Sequence, residues 1–434
     1  MKAGAGRIDI TPSDPVWMDG MIRSHKSTGV RHRLYAKALA LSSGDAPGDI
    51  FIIASVDVCG ISRADHEQIC SDITRQVGVP PVNIILAATH THSGPATAGH
   101  FNQKEEQYTA RLRTLIAEVA VKAIRDMRPA LVGCGSGVEN TISHYRRLLA
   151  KDGRVIMNWE PYTPDQIVGP LGEIDPEVGV LKAVSADADR KLLAVLFNHA
   201  GHPNVMSGDN YLLSAEYPGR AENILEQRLG GTAVFVNGAQ GTMDIDGRKD
   251  RDWDGMERVA GALAEAVMQT SAAVAVKSDA IVRGASAHYT LPARRISSGD
   301  LEWAESILAK TKGKITPLPD GVGDDYKATL IKHLHTVQNI PHQLEQVGIV
   351  VGETAWLSFP GELFTEIGMR IKRASPFAHT YIIGLANGGF GYALTSKAIR
   401  EGGYETDTRV VDESAEEIVF QQSTTLLKRL HAGK

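Results

Sequence analysis

This sequence predicts an α/β protein: a central, largely buried mixed β-sheet flanked by helices, with its chemistry at the strand ends. Three observations carry that reading. Apolar runs of strand length recur, as in DIFIIASVDV (49–58), NIILAAT (83–89), LLAVLFNHA (192–200) and TAVFVNG (232–238), and nearly unbroken runs mark strands buried on both faces. Segments of helical period lie between some of them, such as SRADHEQICSDITRQ (62–76) and KEEQYTARLRTLIAEVAVKAIRDM (104–127). Each run also stops at polar residues or glycine, where α/β folds place their functional groups.

In chain order, LYAKALALSS (34–43) and residues 49–58 read as strands, and Ser62 stands where it can cap the helix that follows. Residues 83–89 form a third strand before the long helix 104–127. Strands at 192–200 and 232–238 come next, then a helix at 254–269 and a strand at 279–292. The alternation over 342–360 predicts a hairpin turning at Gly352-Glu353. TYIIGLAN (380–387) is the last buried strand and 413–430 a closing helix. Residues 293–327, with RRISSGD and TPLPDGVGDD, read as a surface excursion and candidate lid. No repeat, low-complexity tract or linker divides the chain, so residues 1–434 are expected to form a single domain.

Composition narrows the function. With 43% hydrophobic and 22% charged residues the chain is of soluble globular type. A net charge of -5 and a pI near 6.3 exclude a nucleic-acid or polybasic membrane surface. No apolar run is long enough to span a bilayer, and the polar opening KAGAGRIDITPSD shows no signal peptide, so a cytoplasmic location is expected. Cys59, Cys70 and Cys134, at unrelated spacings, match neither a disulfide framework nor a zinc ribbon. The expected partner is a small-molecule substrate, with homo-oligomerisation left open.

The chemistry begins at IILAATHTHSGP (84–95). In an extended chain residues two apart share a face, so His90 and His92 would stand side by side where a buried strand meets its loop. Other strand ends repeat the pattern: LFNHAGHP presents His199 and His202, LSFPGELF presents Glu362, and NGGFGYALT presents Tyr392. Imidazoles with a carboxylate are donors that suit zinc, and the set lacks the extra aspartates that a two-cation site needs. An amidohydrolase barrel would carry its HxH on the first strand, whereas three β-like segments precede this one.

ATHTHSGP, His199, FPGE, and Gly391-Tyr392 followed by Tyr404 in GGYE resemble the catalytic domain of the neutral ceramidases and their shorter bacterial relatives. AGAGRIDITP and NGAQGTMD match the same pattern, in the same order, from about residue 3 to about 410. The resemblance implies one zinc ion per chain, held by His90, His199, Glu362 and Tyr392. It places His92 beside the metal as a proton carrier, and Arg146 and Tyr404 at the scissile carbonyl. Glu216, in LLSAEYPG, aligns with an acidic site residue, and His202 and His100 stand as further contacts near the metal or substrate. Asp57 is a candidate to orient a histidine. One departure bears on the substrate. Where the family carries an essential serine, this chain has Asp244, followed by Ile245 and Asp246, and a carboxylate cannot donate a hydrogen bond unless protonated. The C-terminal β-sandwich of the full-length relatives is not seen either. The expectation is a zinc hydrolase cleaving an amide in a small polar substrate rather than ceramide, in a short polar pocket. Ester, lactone or sugar-deacetylating hydrolysis on the same site, or a non-catalytic metal- or carbohydrate-binding role, are the alternatives.

Overall fold

The computed structural model describes residues 1–99, 101–245 and 251–433. Two mixed sheets face each other, with helices on both outer sides. The larger has eight strands, ordered Thr232–Asn237, Leu192–His199, Glu177–Ser185, Arg128–Val138, Lys2–Asp9, Tyr35–Ser42, Ile50–Val56 and Ile84–Ala88. Its outermost pairs are parallel and the inner ones antiparallel. The smaller has four, ordered Val282–Leu291, His342–Val351, Thr354–Ser358 and His379–Ile383, the last pair parallel.

Between the sheets lies a core of Leu39, Ile53, Ile85, Leu196, Val234 and Ile349, with Trp356 and Tyr381 in tilted contact at 4.6 Å between ring centroids. The helices Arg63–Val77 and Glu106–Arg125 cover the outer face of the large sheet through Ile69, Ile73, Leu112 and Ile116. Ser62 Oγ accepts from Asp65 N at the start of the first of these, and Gly78 ends it at φ 74°, as its sequence leads one to expect. Glu216–Leu229 and Trp253–Ala273 pack beside Phe197 and Phe235. Ala415–His431 and Thr365–Ala374 cover the small sheet.

Residues 293–327 are not plain loop. They carry the helix Ser298–Thr311 and the start of Asp324–Val337, which pack together through Ala304, Ala328, Ile331 and Leu334. The hairpin turns at Gly352, at φ 61°, as predicted. Among the described residues no helix is long and apolar enough to cross a membrane.

The layers bring several strand ends to one place. The loops after Ile84–Ala88, Leu192–His199 and Thr354–Ser358 converge, tied where Asn237 Nδ2 donates to Gly201 O (2.9 Å) and to Thr89 O (3.3 Å). The short strands Glu362–Leu363 and Tyr392–Ala393 pair in parallel, which sets Glu362 opposite Tyr392.

Candidate metal centre

His90, His92, His202 and Glu362 meet at the convergence of these loops. His90 and His92 do not arrive there by strand alternation. His90 has φ 72°, a left-handed backbone that breaks the extended run, so the rings meet edge to face at 83° with centroids 4.6 Å apart. Gly20 seats the His92 ring: at φ 87° it adopts a backbone that L residues avoid, and a Cβ there would lie 2.4 Å from His92 Cγ. Arg23, buried beneath this loop, donates to the carbonyls of His92 (2.8 Å) and Asp19 (3.1 Å) and so holds the turn.

Hydrogen bonds to backbone carbonyls fix the tautomers of two rings. His90 Nδ1 lies 2.7 Å from Cys59 O and His202 Nδ1 2.8 Å from Met243 O. A carbonyl only accepts, so each Nδ1 carries a proton. His202, lowered by burial and then by Arg146, keeps its Nε2 as a lone pair, whereas His90 is raised well above 6.5, against burial, by Cys59 and Glu362. Both Nε2 atoms face Glu362 Oε2, at 3.5 Å from His90 and 2.9 Å from His202. His92 Nε2 lies 3.1 Å from His90 Nε2. Arg146 Nη1 lies within 3.4 Å of both nitrogens of His202, so it stands over the ring and not on the Nε2 lone pair. Two acceptors therefore confront each other between His202 and Glu362. Such an arrangement calls for positive charge between them.

The electrostatics agree. Burial alone would raise the Glu362 carboxyl, but the positive charge favoured on His90, with the hydrogen bonds of His202 and His90, holds it well below the usual range. His92 is pushed well below 6.5 by burial, then by His90 and His202, and is neutral. Two donors about 2.1 Å from one zinc ion at tetrahedral angles stand roughly 3.4 Å apart, which the observed separations bracket. His90, His202 and Glu362 thus form a group of nitrogen and carboxylate donors that could hold a metal ion. Tyr392, opposite Glu362 in register, lines the same cavity.

His199 is not at this centre. Its Nε2 is 2.9 Å from Ser143 Oγ and its Nδ1 3.2 Å from Glu177 O, so both nitrogens are engaged at the other side of the strand. The chain continues through Ala200-Gly201 and delivers His202 instead, the residue read from sequence as a further contact. Arg146 and Tyr404 do flank the centre. Arg146 is buried, with Nε on Glu405 Oε1 at 2.7 Å and its guanidinium 5.4 Å from the Tyr392 ring and 5.9 Å from that of Tyr404. Arg147 holds the other oxygen of Glu405 at 2.8 Å. Sequence reasoning missed Glu405 and Arg147, since nothing local marks pairs separated by more than 250 residues, and Arg23, whose contact with the His92 carbonyl spans 69 residues.

Asp244 faces away from the cavity. Its Oδ2 accepts from Asn158 Nδ2 (2.9 Å) and its Oδ1 from Ile245 N (2.9 Å), with the Asn204 amide also reaching Oδ1 at 2.8 Å. Glu216 lies behind the histidine loop, taking Met206 N at 3.1 Å and Ser93 Oγ at 3.3 Å, so it braces that loop. Asp57 accepts from Tyr35 N at 2.7 Å rather than from a histidine. His100 and Asp246 lie outside the described residues.

The centre opens into a cavity of about 140 Å³. Its walls are Ile61, Phe101, Leu330, Leu385, Phe390 and Val410. The expected polar lining is therefore corrected: apart from the metal group, the tyrosines, Cys59 and Thr408, the walls are apolar.

Comparison with known proteins gives the lineage. Residues 1–241 match the family model described as neutral/alkaline non-lysosomal ceramidase, N-terminal. The neutral ceramidase of Pseudomonas aeruginosa is 27% identical over 258 residues, which cover 56% of this chain and 36% of that protein. The match thus spans about a third of the length of that relative. Its crystal structure superposes with a TM-score of 0.76 at 19% identity, covering 99% of this chain and 74% of that one. A ceramidase complexed with C2 superposes equally well over 75% of its length, and both show the shared fold. A family model that matches more than half of the sequence makes the assignment: the chain belongs to the neutral/alkaline non-lysosomal ceramidase family.

Proposed function

We propose that this protein is a zinc-dependent hydrolase that cleaves a carboxylic amide. The observation that supports it is the convergence of two fixed-tautomer imidazoles on the Glu362 carboxylate, at the mouth of a cavity. Bound there, zinc would supply a Lewis acid and lower the pKa of water to about 7. The chain's own residues supply the rest. His92, neutral and with Nε2 turned to the centre 3.1 Å from His90 Nε2, would accept a proton and return it to the leaving nitrogen. Arg146, whose buried Nη2 lacks a partner, faces Tyr392 and Tyr404 and is placed to stabilise charge on the scissile oxygen. Glu405 keeps that guanidinium oriented. The substrate of the longer relative is not carried over to this chain.

The test is elemental analysis of the purified protein together with a screen of amide substrates, repeated on His202→Ala. One zinc per chain and turnover, both lost in the variant, are expected. Stoichiometric metal in the variant, or full turnover without any, defeats the proposal.

A further inference from the structure

We infer that the acyl portion of the substrate is short and that Leu330, Phe390 and Val410 set the limit; this rests on the amide-hydrolase reading above. The cavity beside the metal centre is small, about 140 Å³. Pockets for drug-sized ligands are larger, commonly about 300–1,000 Å³.

The far walls are backed by packed structure. Leu330 and Val410 lie against the cluster of Ile296, Ala328, Ile331 and Leu334, which joins the helices Ser298–Thr311 and Asp324–Val337. Phe390 and Val410 also pack on the core that contains Phe359 and Leu394. On a third side Phe101 stacks on Tyr326, with centroids 5.5 Å apart and rings inclined by 25°. A longer chain would have to part these contacts, and close-packed interiors resist that.

The walls also decide which half of the amide enters. Hydrolysis breaks the C–N bond, joins water's oxygen to the acyl carbon and passes both of water's protons to the nitrogen. The products then leave as a carboxylate and an ammonium. Among the described residues the only carboxylate on the cavity wall is Glu362, already committed to the metal group. An ammonium pressed against Phe390 and Leu330 would lose its water without a replacement partner, at a cost of several kcal/mol. The acyl tail suffers no such loss, so it takes the cavity and the amine faces outward.

The experiment compares amides of one fluorogenic amine bearing acetyl, butyryl, hexanoyl, dodecanoyl and hexadecanoyl groups. The matching carboxylates are titrated calorimetrically into zinc-loaded protein, a readout that needs no turnover. The expected result is a kcat/KM at least about tenfold higher for the short acyl groups than for dodecanoyl, carried by KM, with the carboxylates binding in the same order. Leu330→Ala and, independently, Val410→Ala should move the optimum to longer chains, with a far-UV circular dichroism spectrum like that of the wild type reporting an intact fold. Hexadecanoyl turnover equal to butyryl, or a length profile unmoved in both variants, overturns the inference, as does a length limit that follows the amine instead. Absence of turnover for every amide strikes the amide reading, while the carboxylate titration still judges the cavity.

Discussion

Glu216 gives the most quantitative test of how the histidine loop is supported. It is wholly buried at φ 55°, and its Oε2 has no hydrogen-bond partner. Burial raises its carboxyl from 4.5 to about 7, against the opposing bonds from Met206 N–H and the Ser93 hydroxyl. A folded carboxyl raised above its unfolded value keeps a proton that the unfolded chain gives up. Stability is therefore lost as pH climbs from 4.5 to about 7, and the loss is complete above that. The gap, at about 1.4 kcal/mol per pH unit, amounts to about 3 kcal/mol. Glu216→Gln retains Oε1 for both donors and removes the titration. Its unpartnered amide carries a constant cost of about 1–3 kcal/mol, so the informative quantity is how the variant's ΔΔG changes with pH. Urea unfolding at pH 5 and pH 8 should show the variant gaining about 2.5 kcal/mol on the wild type between the two, since part of the loss is already present at pH 5. Parallel losses in both proteins would mean that Glu216 ionises normally in the fold and that the argument from burial is mistaken.

Other outcomes follow from the same geometry. Chelation should lower Tm and added zinc restore it, because the ion binds only the folded chain; an unchanged Tm with confirmed metal removal counts against the centre. His199→Ala should keep stoichiometric metal while His202→Ala loses it, by elemental analysis, and the reverse would return the ligand role to His199. Glu405→Gln should cost about 3–5 kcal/mol in urea unfolding by leaving Arg146 and Arg147 buried without their carboxylate; a cost below about 1 kcal/mol would contradict that pairing. Asp244→Asn should change kcat by less than about tenfold, whereas removal of a working general base costs about 10²–10⁴-fold.

The sequence made the buried layer legible and much of the rest opaque. Ile50–Val56, Ile84–Ala88 and Thr232–Asn237 are strands as predicted, because continuous burial demands unbroken apolar runs. The opening strand Lys2–Asp9 escaped notice. Gly4 and Gly6 weaken its β signal, yet they are what the packing needs: a Cβ on Gly4 would come 2.3 Å from Ala123 O in the helix above. The division into two facing sheets was hidden too, since it depends on which runs pair and not on the runs themselves. The helix Ser298–Thr311 was hidden for another reason. It buries only Ala304 fully, so its apolar stripe is thin, and SSG at its start resembles a turn.

At the site, chemistry was more readable than geometry. That imidazoles and Glu362 would gather could be inferred from strand ends; which histidine of LFNHAGHP would arrive could not. His199 is the last residue of its strand and keeps the strand's register, opposite Asn237, so its direction is fixed by the sheet. His202 comes after Ala200-Gly201, where the chain can turn, and Asn237 Oδ1 and Nδ2 hold Gly201 at its N–H and carbonyl. Gly201 has little freedom to be replaced: a Cβ there would lie 2.3 Å from Ile245 Cδ1. The turn that aims His202 thus depends on an asparagine on a neighbouring strand and on space left by a glycine. Neither leaves a trace in the spacing of histidines, and a motif read by position alone selects His199, three residues before the histidine that faces Glu362.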